Sequence, residues 1–329
     1  MKLNKKLRDK IGTYGELPAK EVNPPLFVTG CMRSGTTFLV DKLTSHPQMI
    51  KVGDELNQVW TEIGGAKIIG QCQHRSAEDL SPQNIYQMSQ YFYNFISESR
   101  GFKRYIMRSL NYFKTKRGRI FYDWENIIPV NKSTHLMNKI GYLSTSFPHS
   151  KIIIIVRDIY AHSSSMKMHF LSQNEKNGAI HFKPDNELDC WTTRIEDNIE
   201  PGLNGKPSFP PNFSLIPQMW INLNLQALKV ASLNRDNCIV ISYEELIQNQ
   251  AAIFKKLFSK LYLEEKYNNE IKKINTEIIN HKNTTTRGNS LDKWKKYLDK
   301  DEIETIDLLL IKSNIDYEKI ISLLNSLKI

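Results

Sequence analysis

The sequence predicts an α/β fold of the P-loop type, in which a central parallel β-sheet lies between two layers of helices. Three observations support this prediction. Short apolar runs alternate with helix-like segments, an order typical of parallel sheets. The run KIIIIV at 151–156 is aliphatic, as in strands that are buried on both faces. A glycine-rich turn joins the first apolar run to a helix-like segment, as in phosphate-binding loops.

The elements follow from the same patterns. Five apolar runs predict strands at residues 26–29, 49–52, 127–131, 151–156 and 237–242. After residue 299, helical spacing predicts a helix whose apolar face carries Ile303, Ile306, Leu309 and Leu310. Residues 198–217 are rich in proline, glycine and asparagine, so we expect a long surface loop there.

The composition narrows the class of protein. The chain has 329 residues, of which 40% are hydrophobic, which is enough for a full core. No apolar stretch approaches the ~20 residues of a membrane span, and no apolar segment behind the basic N-terminus marks a secretory signal. We expect a reducing, cytoplasmic setting without a zinc cluster or disulfide framework, because the cysteines are widely spaced, at Cys31, Cys72, Cys190 and Cys238.

The chain is basic, with a formal net charge of +10. Such an excess favours anionic partners, although a generally lysine-rich surface also produces it. Basic residues are dense at 100–119, where apolar residues recur at helical spacing, namely Phe102, Ile106, Leu110 and Phe113. Three interpretations stay open for this stretch: a nucleic-acid contact, an amphipathic helix with a solvated basic face, or a basic wall beside an anionic substrate.

The stretch LFVTGCMRSGTTFL nearly matches the phosphate loop G-x-x-x-x-G-K-[S/T]. Gly30 and Gly35 have the required spacing and Thr37 supplies the hydroxyl, but Thr36 occupies the lysine position. Loop amides and the helix dipole bind any phosphate, whereas the lysine and Mg²⁺ serve the β- and γ-phosphates of a triphosphate. Arg33 offers a cation inside the loop. The loop therefore suits a donor with a short 5′ anion.

The heptapeptide RSGTTFL after an apolar strand resembles the 5′-phosphosulfate loop of sulfotransferases, which transfer SO₃ from 3′-phosphoadenosine-5′-phosphosulfate (PAPS). The resemblance implies PAPS as the donor, no metal, and a catalytic as well as a binding role for Arg33. It implies that the donor contacts Arg33, Ser34, Gly35, Thr36, Thr37 and Phe38.

A second segment, SKIIIIVRDIYAHSSSMKMHF, resembles the family's 3′-phosphate site, in which an arginine ends a buried strand and a serine follows on the next helix. These positions are Arg157 and Ser165, with Ser163 and Ser164 as alternatives to the serine. An arginine at the carboxyl end of a parallel strand faces the ligand crevice, and its planar fork holds phosphate with two hydrogen bonds. Alternatively, Asp158 binds Mg²⁺ or forms a structural pair with the arginine.

Two further segments bear on the general base. The segment SHPQMIKVGDE resembles the His-Pro…Gly-Glu-Glu stretch of tyrosylprotein and related bacterial sulfotransferases, and implies Glu55 as the base, with Asp54 as the alternative. The segment NKSTHLM resembles the Lys-Thr-His of cytosolic sulfotransferases, with one serine inserted. It implies that Lys132 assists the transferring group. His135 is a base, an acceptor-binding group or an ordinary half-buried histidine.

A late segment, TTTRGNSLDKWKKYL, resembles the loop that folds over the nucleotide. It implies donor contacts from Arg287, Ser290 and Lys293.

The matching segments span about residues 26 to 298, so we expect one sulfotransferase domain over 1–329, with an N-terminal extension at 1–24. Residues 60–125 and 170–217 match no segment of the family, and we expect them to be insertions that shape the acceptor site.

The resemblance implies a PAPS-dependent sulfotransferase acting on a hydroxyl or amine of a carbohydrate or small-molecule acceptor. We expect no nucleic-acid partner and no membrane span. Two alternatives come from other classes. A P-loop nucleotide kinase or other phosphotransferase would need a cation where Thr36 stands, and a basic nucleic-acid-binding protein would leave Arg157 unexplained.

Overall fold

The computed structural model of the protein describes residues 23–66, 68, 74–115, 119–177, 180–184, 188, 191–195, 213–263 and 291–329. These residues form seven strands: β1 (Leu26–Thr29), β2 (Met49–Lys51), β3 (Ile128–Lys132), β4 (Lys151–Val156), β5 (Ile180–Pro184), β6 (Trp191–Ile195) and β7 (Cys238–Ser242). Strands β5 and β6 pair only with each other, as an antiparallel hairpin.

The other five strands make one parallel sheet in the order β2-β3-β1-β4-β7. Strand β1 is central, so that Phe27 lies opposite Asn131 of β3 and Ile152 of β4. The carboxyl ends of all five strands lie at the same edge, where open α/β sheets bind their ligands.

Helices cover both faces of the sheet. Those of the described residues are α1 (Thr36–Leu43), α2 (Asn57–Glu62), α3 (Pro82–Arg100), α4 (Phe102–Thr115), α5 (Ile140–Ser146), α6 (Ile159–Asn177), α7 (Leu215–Leu233), α8 (Tyr243–Gln248), α9 (Gln250–Lys260), α10 (Trp294–Tyr297), α11 (Lys300–Lys312) and α12 (Asn314–Leu327). Short 3₁₀ turns lie at Ala77–Asp79 and Thr134–Lys139. None of the helices described combines the length and apolarity needed to cross a bilayer.

Each face of the sheet has its own core, because successive residues of a strand point to opposite sides. Ile152 and Ile154 of β4 belong to the core that includes α7, whereas Ile153 and Ile155 belong to the core that includes α1 and α9. This double burial explains the uninterrupted aliphatic run of β4. The predicted α/β fold with a central parallel sheet is confirmed.

The five predicted strands are confirmed, with their ends shifted by at most one residue. The predicted helix after residue 299 is confirmed as α11, where Ile306 is buried and Ile303 and Leu310 pack against the core. The prediction of a loop at 198–217 is wrong at the C-terminal boundary, because residues 215–217 begin α7. Most of its remainder lies outside the described residues.

Residues 102–115 of the basic stretch at 100–119 form α4, as its periodicity predicts, but the apolar side of this helix is not buried. Phe102, Ile106, Leu110 and Phe113 are all exposed. An amphipathic helix with only its basic face in water is therefore the wrong description. The hairpin of β5 and β6 was also not predicted.

Candidate active site

The phosphate loop joins β1 to α1 at the carboxyl edge of the sheet. A Cβ atom on Gly30 would lie 2.5 Å from the carbonyl oxygen of Ile155. A Cβ on Gly35, whose φ is +97°, would lie 2.5 Å from the ring of Tyr243. Both glycines are therefore required by close packing, and at Gly35 also by the backbone angle.

The loop leaves donors for an anion. No side chain among the described residues caps the N-terminus of α1, so its first amides keep their hydrogen-bonding capacity for a ligand. Ser34 Oγ is buried without a hydrogen-bond partner among the described residues. Arg33 has φ of 71°, a left-handed conformation that costs a non-glycine residue ~1–3 kcal/mol. Such strain is common in loops that bind ligands.

Three predicted donor-binding cations converge at the loop. Arg157 follows β4, is buried, and donates from Nη1 to the carbonyl oxygen of Arg33 at 2.7 Å. Its guanidinium lies 4.6 Å from the centre of the Tyr243 ring. Burial, together with the charges of Arg157 and Arg33, lowers the pKa of Lys293 to about 8. Burial also lowers the pKa of both arginines, and Arg157 adds to the shift at Arg33. The cluster is therefore electropositive and poised for an anion.

The serines of α6 lie on different sides of that helix. His162 lines one small cavity together with Cys31 and Met32 of the loop, and the charge of Arg33 contributes to the lowered pKa values of His162 and His169, so the side of α6 with these histidines faces the loop. Ser165 is three residues after one and four before the other, and shares that side.

Ser163 is turned toward the late segment instead. It follows Tyr160 by three residues, and the Tyr160 ring stacks on Trp294 with centroids 5.0 Å apart. Ser163 Oγ is buried without a hydrogen-bond partner among the described residues. Ser163 and Ser164 therefore stay the alternatives to Ser165 for the contact with the 3′-phosphate.

The candidate base lies beside the phosphate loop. Glu55 Oε1 is 2.6 Å from Lys132 Nζ, which lies 3.4 Å from Thr37 Oγ1. The Asp54 side chain is 92% exposed and pairs with Lys51 at 2.8 Å, which lowers its pKa. Of these two carboxylates, Glu55 is the one in contact with the lysine at the loop.

His135 shares the Glu55 region. It is half-buried in the 3₁₀ turn after β3. Burial lowers its pKa, while the charge of Glu55 acts in the opposite direction. The structure therefore brings Glu55, Lys132 and His135 together.

Two polar residues that support this region were not predicted. Asn131 Nδ2 donates to the carbonyl oxygens of Val52 and Asp54, each at 3.2 Å, and its Oδ1 accepts from Trp60 Nε1 at 3.0 Å. Asn57 Nδ2 donates to Glu55 Oε2 at 3.4 Å. A buried asparagine within an apolar strand is the signal that could have identified Asn131, since such a group needs partners.

Asp158, the alternative magnesium ligand, caps α6. Its Oδ1 accepts from Ala161 N at 2.9 Å, and Glu244 Oε1 accepts from the amide of Asp158 at 3.0 Å. Burial raises the pKa of the Asp158 carboxyl. A helix-capping role explains this residue without a metal.

The late segment lies partly outside the described residues, which exclude Arg287 and Ser290. The part described packs on α6. Lys167 Nζ bonds Tyr297 O at 3.2 Å and the carboxylate of Glu302 at 2.6 Å. These contacts hold the described part of the segment against α6, and the charges of Arg157 and Arg33, which help to lower the pKa of Lys293, indicate that Lys293 lies near the phosphate loop.

The family model described as "Sulfotransferase family" matches residues 24–207, more than half of the chain. The chain belongs to the sulfotransferase family. Among curated proteins, none matches this sulfotransferase.

Solved structures are similar at low identity. The sulfotransferase domain from the curacin biosynthetic pathway is 14% identical, with 88% of this chain and 98% of that chain covered and a TM-score of 0.44. A sulfotransferase from Alicyclobacillus acidocaldarius is 12% identical, with 93% and 97% covered and a TM-score of 0.44. Mouse sulfotransferase SULT7A1 complexed with PAP is 13% identical, with 91% and 88% covered and a TM-score of 0.44. The residue assignments therefore rest on the geometry of this sulfotransferase itself.

Proposed function

We propose that this sulfotransferase transfers a sulfuryl group from PAPS to a hydroxyl or amine of a carbohydrate or small-molecule acceptor. The observation that carries the proposal is the convergence of Arg33, Arg157 and Lys293 at a phosphate loop with Thr36 in the lysine position. PAPS carries a 3′-phosphate and a 5′-phosphosulfate, two anionic groups whose charge is opposite in sign to that of the three cations.

The donor contacts fall into three groups. The 5′-phosphosulfate is held by the amides and side chains of the loop, namely Arg33, Ser34, Gly35, Thr36, Thr37 and Phe38. The 3′-phosphate is held by Arg157 and Ser165, because a guanidinium offers two parallel donors to a phosphate. Lys293 closes over the nucleotide, and Arg287 and Ser290 join it there.

The transfer step follows from the contacts around Lys132. The acceptor oxygen forms a bond to sulfur while the bond from sulfur to the phosphate oxygen breaks, and adenosine 3′,5′-bisphosphate leaves with the electron pair. Lys132 stabilises the negative charge that develops on the phosphate oxygen of the leaving group, as cations do in phosphoryl transfer. Glu55 accepts the proton of the acceptor hydroxyl. No step of this reaction needs a metal.

The acceptor site belongs to residues 60–125 and 170–217 in this proposal. These segments include helices α3 and α4 and the hairpin of β5 and β6. We place the whole chain in a single domain, with 1–24 as an extension. Its widely spaced cysteines support a reducing, cytoplasmic setting.

Thermal unfolding with three ligands tests the donor. Adenosine 3′,5′-bisphosphate should stabilise the protein, by ~2.7 kcal/mol at a concentration one hundred times its Kd. ATP with Mg²⁺ and a short oligonucleotide serve as the other two ligands. Stabilisation by ATP with Mg²⁺ alone would indicate a kinase, and stabilisation by the oligonucleotide alone a nucleic-acid-binding protein.

Mass spectrometry tests the transfer itself. Pooled carbohydrate and small-molecule acceptors are incubated with enzyme and PAPS, and products heavier by one SO₃ group are sought. The Glu55→Gln variant is the matched control, since it should form far less of any such product.

A further inference from the structure

Helix α4 directs its apolar residues toward the surface, whereas a helix that packs on the core directs them inward. Its apolar residues Phe102, Ile106, Leu110 and Phe113 are 77%, 42%, 65% and 66% exposed. Their spacing of four, four and three residues puts them on one stripe of the helix. We call these four residues the α4 patch.

The arginines of α4 hold the helix to the protein instead. Arg108 Nη1 donates to the carbonyl oxygen of Ser99 at 2.6 Å, and its guanidinium lies 5.6 Å from the centre of the Tyr122 ring. Arg104 Nη2 lies 3.7 Å from Glu98 Oε2. These contacts lie on the polar side of α4, and the apolar side chains on the other side are 42% to 77% exposed.

The rim of the α4 patch is basic. Lys103 and Lys114 are exposed and follow Phe102 and Phe113 directly in the chain. The helix sequence, FKRYIMRSLNYFKT, has four basic residues and no acidic residue. An apolar stripe with a lysine rim suits the surface of an anionic bilayer, where the apolar side chains enter the acyl boundary and the lysines contact the headgroups.

The charge distribution on α4 argues against two other partners for the α4 patch, a second copy of the chain and a nucleic acid. A symmetric contact between two copies of α4 would bring the same basic side chains together without an acidic partner on either helix. A nucleic acid would use basic side chains, but Arg108 is turned toward the protein, where it donates to the carbonyl oxygen of Ser99, and the phosphates would meet an apolar stripe.

We propose that the α4 patch binds the surface of an anionic lipid bilayer, with α4 lying parallel to the membrane plane. The interaction is peripheral and reversible, because one helix buries only one apolar face. It brings the enzyme to a membrane without a spanning segment.

Vesicle flotation tests the proposal. The full chain is mixed with vesicles of phosphatidylcholine and phosphatidylglycerol in equal parts, or of phosphatidylcholine alone. The test variant combines Ile106→Gln with Leu110→Gln. The control variant combines Leu308→Gln with Ile311→Gln on α11, where the side chains are 58% and 73% exposed. All four side chains are exposed, so neither variant should lower the melting temperature.

The wild type should float with the anionic vesicles and not with phosphatidylcholine alone. Bound protein should fall by ~tenfold or more in the α4 variant, remain unchanged in the α11 variant, and fall with added salt. An equal loss in both variants would overturn the proposal, as would a wild type that does not float. A dimer that sedimentation velocity detects in the wild type and not in the α4 variant would also overturn it, since the patch would then join two copies.

Discussion

Asp54 and Glu55 are adjacent in the chain, but their carboxylates have different surroundings. Glu55 contacts Lys132, whereas Asp54 is exposed and pairs with Lys51. We predict that Glu55→Gln lowers kcat by ~10²–10⁴, the range for a general base, with little change in donor affinity. Asp54→Asn is the matched control and should retain kcat within a few-fold. Steady-state kinetics with PAPS and an acceptor measure both.

Steady-state kinetics of the His135→Ala variant test whether His135, rather than Glu55, is the general base. Burial lowers the pKa of His135, so its neutral, base-competent form already predominates at pH 6. A falling acid limb near pH 6.5 is therefore not expected from this histidine, and the variants rather than the pH profile separate the two bases. A nearly inactive His135→Ala beside an active Glu55→Gln would reverse the roles.

Arg157 gives a second prediction at the scale of single residues. In the proposed complex it contacts the 3′-phosphate, which adenosine 5′-phosphosulfate lacks. Arg157→Ala should therefore remove most of the preference for PAPS over adenosine 5′-phosphosulfate, a loss of ~1.5–3 kcal/mol for a charged hydrogen bond. Calorimetry with the two nucleotides measures it.

Arg33→Ala is the control for that prediction. It removes a contact to the 5′ anion that both nucleotides share, so both affinities should fall together. Equal affinity of the wild type for the two nucleotides would refute the assignment of Arg157.

Sequence patterns identify some of these residues and miss others for a physical reason. Arg33 and Arg157 belong to continuous motifs, so they could be named without a structure. Asn57 and Asn131 also have partners far away in the chain: Asn57 Oδ1 accepts from Ser133 Oγ at 3.1 Å, and the bond from Asn131 to the carbonyl oxygen of Val52 depends on the pairing of β2 with β3. Local spacing holds no information about such pairing.

Among the elements, the turn from β1 into α1 sets the geometry of the anion site. At Gly35, a methyl group would meet the Tyr243 ring at 2.5 Å in a backbone conformation with φ of +97°. We predict that Gly35→Ala lowers the free energy of unfolding by ~1–3 kcal/mol and weakens binding of adenosine 3′,5′-bisphosphate. Denaturant unfolding and calorimetry measure the two effects.

Gly141→Ala is the matched control for this element. Gly141 lies in α5, and a Cβ there would be 4.0 Å from Val230 Cγ1, an ordinary contact. Gly141 lies in the first turn of this helix, where alanine should raise the free energy of unfolding by up to ~1 kcal/mol. If Gly35→Ala were equally benign, the close approach of loop and ring would be ruled out.

The elements also differ in how far they could be predicted. The strands of the central sheet are buried on both faces, so their apolar runs mark them to within one residue. Periodicity in α4 identifies which residues share a face, but it cannot tell which face points inward. In the folded chain, the contacts of Arg108 with Ser99 and Tyr122 turn the polar side of α4 toward the protein.

For the whole molecule, the sequence predicts an α/β sheet but not its strand order. The order β2-β3-β1-β4-β7 is fixed by packing between segments far apart in the chain. It sets β3 and β4 on either side of β1, and so brings Lys132 and Arg157 to the phosphate loop from opposite sides. The resemblance to sulfotransferases predicts Lys132 and Arg157 without the strand order, because the motifs that carry the resemblance already include both residues.

The three crowded cations also couple donor binding to protons. Lys293, with a pKa lowered to about 8, is only partly protonated at pH 8. Nucleotide phosphates, with second pKa values near ~6, are fully ionised there and should raise the pKa of Lys293 on binding. The complex should thus take up a proton, and affinity should decrease above pH 8 by up to ~tenfold per pH unit. In calorimetry, the binding enthalpy at pH 8 should depend on the ionisation enthalpy of the buffer. Lys293→Gln should remove that dependence, whereas an enthalpy independent of buffer in the wild type would mean that Lys293 lies away from the bound anion.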